Sequence, residues 1–452
     1  MKQQPFPSPE AGLAGLLHAA AQQGDLFCMD LGPRWTVLTW PAGEAIRWSW
    51  GDGSDWLARA RAAGGASPRT GQPLPGGLVG WLGYEAGANF ERMPAPRGAR
   101  PLDDLLLWRC EGSIAWDRAL DRWWVQGDPG FLRQARTLRA RAGQASPFAT
   151  RSSAFTPLPA PPLPPPQAAS RYQDAVATAL DRIRQGWVYQ VNLAWEQRGP
   201  AVTDPVGAWL ALRSANPAEL GVLIRQGSRW VLGNSPELSL RARAQGAGGR
   251  AQTQGAGGRA QTPGAQISVH SLPIKGTASR LGPDPAAARA ALLASEKERA
   301  ELTMIVDLVR NDLGRVAVAG GVQYGHRRAR VCGDLWHAEQ GVAARLRPGL
   351  DAWDAIAATF PPGSVTGAPK VEAMRLIHEL EEGPRGIYTG SVVLLGDDGE
   401  LWSNVAIRTA TIADGEARMH VGAGIVADSS PVAEWQETLA KARMLARHVF
   451  AG

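Results

Sequence analysis

Between residues 157 and 167 the chain reads PLPAPPLPPPQ, and no other stretch restricts its folding as severely. Proline fixes φ and lacks the amide proton that helix and sheet ladders need. A stretch this rich in proline predicts a stiff extended connector over 146–167, forming neither helix nor strand. It separates an N-terminal part, 1–145, from a C-terminal part, 168–452.

The two parts differ in pattern. Residues 1–145 read as strands rich in Trp and Val with Gly/Pro turns, clearest at Trp35–Trp40 and over Ser113–Val125. From Ser170, a plausible N-cap, SRYQDAVATALDRIRQG predicts a helix closed by Gly186. Strands are expected at Val188–Trp195, Leu220–Ile224 and Trp230–Leu232. Further on, helices are expected near 285–313, 351–358, 367–381 and 431–450, with strands near 387–395, 402–413 and 417–426. The alternation argues for a mixed α+β or α/β layered domain. The unit QGAGGRAQT occurs twice, at 245–253 and 254–262. Two copies of a Gly/Ala/Gln-rich unit bury no apolar face, so a solenoid is excluded and a flexible hairpin tip lengthened by duplication is expected.

Composition removes several classes of function. No apolar run of eighteen or more residues marks a membrane span. MKQQPFPSPE lacks the apolar stretch of a secretion signal, which makes the cytoplasm the expected compartment. Cys28, Cys110 and Cys332 are scattered without a CxxC pair, so neither a disulfide framework nor a zinc site is suggested. The net charge of +6 comes from dispersed arginine with no basic run, so no nucleic-acid partner is expected; a small dianionic substrate suits such a field equally well. Lysine is scarce: only Lys2, Lys275, Lys297, Lys370 and Lys441 occur, so each interior lysine carries information.

Two pairs of acids stand out. Glu298 and Glu301 lie three apart in SEKERAELTMIVDLVRND, as do Glu434 and Glu437 in AEWQETLAKARML, with Lys441 one turn further. Each pair shares a helix face. Carboxylates from two helices could converge on a hard cation such as Mg²⁺, which prefers oxygen ligands and keeps waters for a substrate to replace. On spacing alone, a solvated ion-paired surface is the plainer reading. PIKGT (273–277) and FPPGSVTGAPK (360–370) are turns of the kind that offer backbone N–H groups and hydroxyls to carboxylates.

Taken in order, SPEL (235–238), PIKGT, ERAEL through MIVDLVRNDLGRV (298–316), FPPGSVTGAPK, IYTG (387–390), NVAIRT (404–409), GAGIVADS (422–429) and EWQETLAKA (434–442) resemble the chorismate-utilising enzymes. GGLVGWLGYEAG (76–87) extends the resemblance into the N-terminal part, as in the anthranilate and aminodeoxychorismate branches. The resemblance implies two α/β halves enclosing a β-sandwich, with the active site in the cleft. It implies Glu301 and Glu437 as direct Mg²⁺ ligands, with Glu298 and Glu434 acting through water. The metal would hold the ring carboxylate of chorismate beside Gly276 and Thr277. Tyr388, Arg408 and the backbone at Gly422 and Gly424 would grip the enolpyruvyl carboxylate, with Ser364 and Lys441 also lining the substrate site. His337 matches the histidine near the reacting ring, and Glu237 would be the general acid/base.

Two positions sort the branches. The middle residue of PIxGT is typically Ala in anthranilate synthases and Lys in aminodeoxychorismate synthases; here it is Lys275. Where isochorismate and salicylate synthases carry a water-activating lysine, YQVNLA (189–194) has Gln190. The expected reaction is therefore amination of chorismate, on the route to p-aminobenzoate and folate, with Lys275 as nucleophile; the alternative is anthranilate synthase component I. No cysteine lies in a Gly-x-Cys-x-Gly turn, so ammonia is expected from a separate glutamine amidotransferase subunit, and release of p-aminobenzoate from another enzyme. HAEQGV (337–342) departs from the family's usual His-Leu-Val-Ser. Phe27–Asp30 stands where anthranilate synthases carry the Leu-Leu-Glu-Ser stretch of tryptophan feedback, so such feedback is not expected.

Overall fold

The computed structural model describes residues 2–9, 11–53, 55–65, 67, 71–143, 164, 166–245 and 266–451. Most of the proline-rich connector and nearly all of the duplicated unit lie outside them. Among the described residues, two large antiparallel sheets of eleven and nine strands form the centre. Strands from both sides of the proline-rich segment share each sheet. In the first, Leu26–Leu31 pairs with Leu220–Gln226; in the second, Gly77–Leu82 pairs with Ser391–Gly396.

Alternation along the strands explains the layering. In LFCMDL, Leu26 and Cys28 face one core while Phe27, Met29 and Leu31 face another. In LLLWRC, Leu105 and Leu107 point one way and Leu106 and Trp108 the other. Phe27, Met29, Trp81, Leu106, Trp108, Val222 and Leu394 form one apolar layer between the sheets. Helices cover both outer faces: Leu16, Val176 and Trp435 pack on the first sheet, Leu302, Ile305 and Trp353 on the second. Sheets buried on both faces read as near-continuous apolar runs, as these do. The α/β layers around a β-sandwich expected from the sequence are present.

Several boundaries differ from expectation. The helix predicted from Ser170 begins at Pro166, inside the proline-rich segment. Proline is tolerated in a first turn, where the amide proton has no helical partner. Ser170 is therefore not the cap; its hydroxyl donates to the Gln167 carbonyl. The helix expected over 285–313 is two, Pro285–Ala294 and Glu296–Gly314, because Ser295 adopts an extended conformation and caps the second through its side chain. The strand expected over 402–413 is interrupted after Asn404 and resumes at Thr409, with NVAIRT turning between. The N-terminal part also holds the helices Gly12–Gln23, Trp56–Ala63 and Pro129–Ala142. No described helix is long and apolar enough to cross a membrane. Cys28, Cys110 and Cys332 are free and buried.

Candidate active site

PIKGT runs into the short strand Ile274–Ser279, which pairs with Leu335–Glu339 and sets Thr277 opposite His337. The register shifts between Ile274 and Thr277, leaving Lys275 and Gly276 outside the regular ladder. Gly276 has φ +83°, and a Cβ there would strike the Glu298 carboxylate. The conformation calls for glycine, and any side chain there would displace the Glu298 carboxylate.

Lys275 extends toward the Glu416–Ile425 strand, and its Nζ lies 2.9 Å from the point where Gly424 would carry a Cβ. Gln190 Nε2 lies 3.2 Å from the same point, and both polar atoms of the buried Gln190 amide lack a hydrogen-bond partner. Desolvation lowers the Lys275 pKa and the Lys441 charge adds to this, while Glu301 and Glu237 oppose it. Glu237 is buried, which pushes its carboxyl up to about 7 against the downward pull of Ser364 and Lys275. Glu237 and Ser364 line one cleft with Pro273, Asp312 and Thr359. Arg330 fixes the preceding turn by donating to the Pro236 carbonyl at 2.7 Å.

The four acids come from the helices Glu296–Gly314 and Pro431–Val449. Burial raises the Glu301 pKa; Lys275 lowers it, and both Glu298 and Glu437 raise it, so acids of the two helices act on one another. Glu434 is buried and accepts from Ser429 Oγ at 2.6 Å. Glu437 is half exposed and pairs with Lys441 at 2.7 Å; burial would raise its pKa, but Lys441 holds it below the usual value. Lys441 also donates to the Gly422 carbonyl at 3.1 Å. Among the described residues no three His, Cys, Asp or Glu side chains gather closely enough to enclose a metal ion. The donor set is instead one of carboxylates on two helices, which suits a hard cation that keeps much of its water.

The other residues singled out from the sequence form two adjoining groups. Tyr388 is buried, its hydroxyl 2.8 Å from where Gly422 would carry a Cβ, and burial pushes its pKa up to about 12. His337 is buried with both ring nitrogens unpartnered; desolvation and the charges of Arg408 and Arg330 push its pKa down to about 3, which keeps the ring neutral. Arg408, at φ +51°, lies beside Cys332 and near His337. Behind His337, where the sequence departs from the family pattern, buried Glu339 pairs with Arg328 at 2.8 Å and with Arg330.

Two further residues are assigned no role by the sequence although both lie in or beside its motifs. Lys370, the last residue of FPPGSVTGAPK, is buried and bridges Asp312 at 2.6 Å and the Thr359 carbonyl at 3.0 Å. It thereby ties the loop carrying Ser364 to the helix carrying Glu298 and Glu301. Its scarcity as a lysine was the available signal. Arg385, in the GPRG before IYTG, is buried among backbone carbonyls, and nothing in its local sequence marks it.

The pattern of chorismate binding enzymes matches residues 31–447, nearly the whole chain. The chain belongs to the chorismate-binding enzyme family. Among its relatives, anthranilate synthase component 1 of Streptomyces coelicolor is 34% identical over 399 residues, covering 82% of this chain and 72% of that protein. An aminodeoxychorismate synthase of Streptomyces pristinaespiralis is 35% identical over 394 residues, covering 84% of this chain and 52% of that longer protein. The crystal structure of anthranilate synthase component I from Streptococcus pneumoniae is similar with a TM-score of 0.78 at 27% identity, covering 91% of this chain and 92% of that one. The menaquinone-specific isochorismate synthase of Escherichia coli shares the fold with a TM-score of 0.70 at 19% identity, covering 99% and 94%.

Proposed function

We propose that this chorismate-binding enzyme aminates chorismate to 4-amino-4-deoxychorismate, with Lys275 as the covalent nucleophile. One observation carries the reading: the Lys275 amine lies in desolvating surroundings against the bare Gly424, with Glu237 nearby. A neutral amine forms a C–N bond to the ring while the double bonds shift and the C–O bond to the ring hydroxyl breaks. Glu237, which holds its proton up to about pH 7, supplies that proton so that water leaves. Ammonia then adds at the carbon that lost the hydroxyl, the bonds shift back, and the lysine nitrogen departs with its electron pair. One difficult displacement becomes two easier ones.

Glu301 and Glu437 would hold a Mg²⁺ ion directly, with Glu298 and Glu434 acting through water; the ion would neutralise the ring carboxylate of the substrate. Gly276, Thr277, Ser364 and Lys441 would line that side. Tyr388, Arg408 and the backbone at Gly422 and Gly424 would receive the enolpyruvyl carboxylate, with neutral His337 near the ring. Relatives named as a component 1 support a separate glutamine amidotransferase subunit as the ammonia source.

A second reading is anthranilate synthase component I. Two of the four relatives named above carry that name and favour it, whereas Lys275 favours aminodeoxychorismate. Incubation with chorismate, Mg²⁺ and ammonium separates the two by product mass. The proposal expects an aminated product that retains the enolpyruvyl group; anthranilate with release of pyruvate would overturn it.

A further inference from the structure

The Arg385 guanidinium is buried and uses every donor it has. Nε and Nη2 donate to Glu381 at 2.9 and 2.6 Å, Nη2 also to the Asn192 carbonyl at 2.6 Å, and Nη1 to the Val365 carbonyl at 3.0 Å and Thr389 Oγ1 at 3.2 Å. An arginine has five N–H donors in a fixed fork, and here all five are spent. Its own backbone is pinned as well: the amides of Arg385 and Gly386 donate to the two oxygens of buried Glu85 at 2.8 and 2.9 Å. The guanidinium lies 4.9 Å from the Tyr84 ring centre and 5.7 Å from that of Tyr388.

The three segments it joins are the walls of the candidate site. Asn192 lies two residues beyond Gln190, Val365 follows Ser364, and Thr389 follows Tyr388. Thr389 has φ +62°, a conformation rarely adopted by a β-branched residue. Such backbone persists only where its surroundings over-determine it, and it concentrates at functional sites. Here the Thr389 amide donates to the Ala406 carbonyl at 2.9 Å while its hydroxyl is held by Arg385. A buried ion pair adds little net stability over an apolar pair of the same shape, so stability alone is weak reason for this one.

We propose that Arg385 is a positioning residue that fixes Tyr388, Ser364 and Gln190 relative to one another around the substrate. This rests on the reading of that cleft as the chorismate site. Arg385→Lys keeps a charge for Glu381 but cannot supply five directed donors. Displacing groups around a substrate by about 1 Å can cost on the order of 100-fold in turnover.

The test compares Arg385→Lys, Thr389→Gly and the double variant Arg385→Met/Glu381→Gln with wild type. The readouts are melting temperature, chorismate affinity measured by tryptophan fluorescence, and KM and kcat with ammonium. Thr389→Gly suits φ +62° and removes one anchor, so it keeps the protein folded should the arginine variants fail. The expected result is a loss of at least tenfold in chorismate affinity and a matching rise in KM, in protein melting within a few degrees of wild type. A folded Arg385 variant, or Thr389→Gly, with affinity and KM within threefold of wild type would overturn the proposal. Wild-type protein that binds chorismate without aminating it would sink the reaction assigned above and leave this affinity comparison intact.

Discussion

Lys275 and Gly424 are matched: the amine occupies the space that any side chain at 424 would fill, 2.9 Å from its Cβ position. Gly424 does not have a positive φ, so alanine fits the backbone there. Gly424→Ala should therefore leave folding nearly unchanged and push the flexible lysine end aside. We expect a fall of at least tenfold in ammonium-dependent kcat with a melting temperature within about 2 °C of wild type. A Gly424→Ala enzyme as fast as wild type would show that the amine's position against the strand is immaterial.

The acids of the two helices make Mg²⁺ dependence a specific expectation. Glu301→Gln and Glu437→Gln each remove a charge from the proposed cation site and should each reduce turnover to below a tenth at modest Mg²⁺. Titration of Mg²⁺ should show a much weaker apparent affinity in both variants. Retention of wild-type Mg²⁺ affinity in either would remove that residue from the ligand set.

Glu237 makes the enzyme sensitive to pH in two ways. Its carboxyl is raised from an ordinary 4.5 to about 7 by burial, so the protonated acid is lost as pH rises through 7 and turnover should fall with it. The sign for stability follows from the same shift. The folded state holds the proton more tightly than the unfolded chain, so this contribution is fully present below about pH 4.5 and is lost by about pH 7 to 8. Glu237→Gln should flatten that part of the stability curve, and the comparison must be against wild type because Glu85 is raised to about 7 by the same cause. Equal slopes of melting temperature against pH in the two proteins would contradict the assignment.

Gln245 and Gln266 are Cα partners at the end of a hairpin, so the intervening residues, which include the duplicated unit apart from Gln245, join two strand ends that already meet. Replacing 246–265 by an Asn-Gly turn should preserve both folding and ammonium-dependent turnover. A fall of more than about 5 °C in melting temperature would show that the replaced segment contributes to the body of the protein.

How far the sequence could be read depended on the range of the forces involved. The helices bearing the acid pairs were legible because their apolar faces recur at helical spacing, as in Leu302, Ile305, Val306 and Val309. Lys275 was legible through its scarcity and its motif. The break at Ser295 was not, because the apolar pattern continues across it and only the extended backbone reveals the cap. The Gly12–Gln23 helix was hidden by a short pattern beside strand-rich neighbours; it forms because Leu13, Leu16, Leu17 and Ala20 pack on the first sheet. Arg385 was beyond sequence reasoning, since its acceptors at Asn192, Val365 and Thr389 come together only in the fold.

The central claim is that Lys275 bonds covalently to the ring, and intact mass tests it directly. Wild-type protein given chorismate and Mg²⁺ without ammonia should gain the mass of chorismate less one water, mapped by peptide fragmentation to Lys275. Lys275→Ala should gain none and lose most ammonium-dependent turnover. An adduct on a different residue, or a Lys275→Ala enzyme that aminates chorismate at the wild-type rate, would contradict the account.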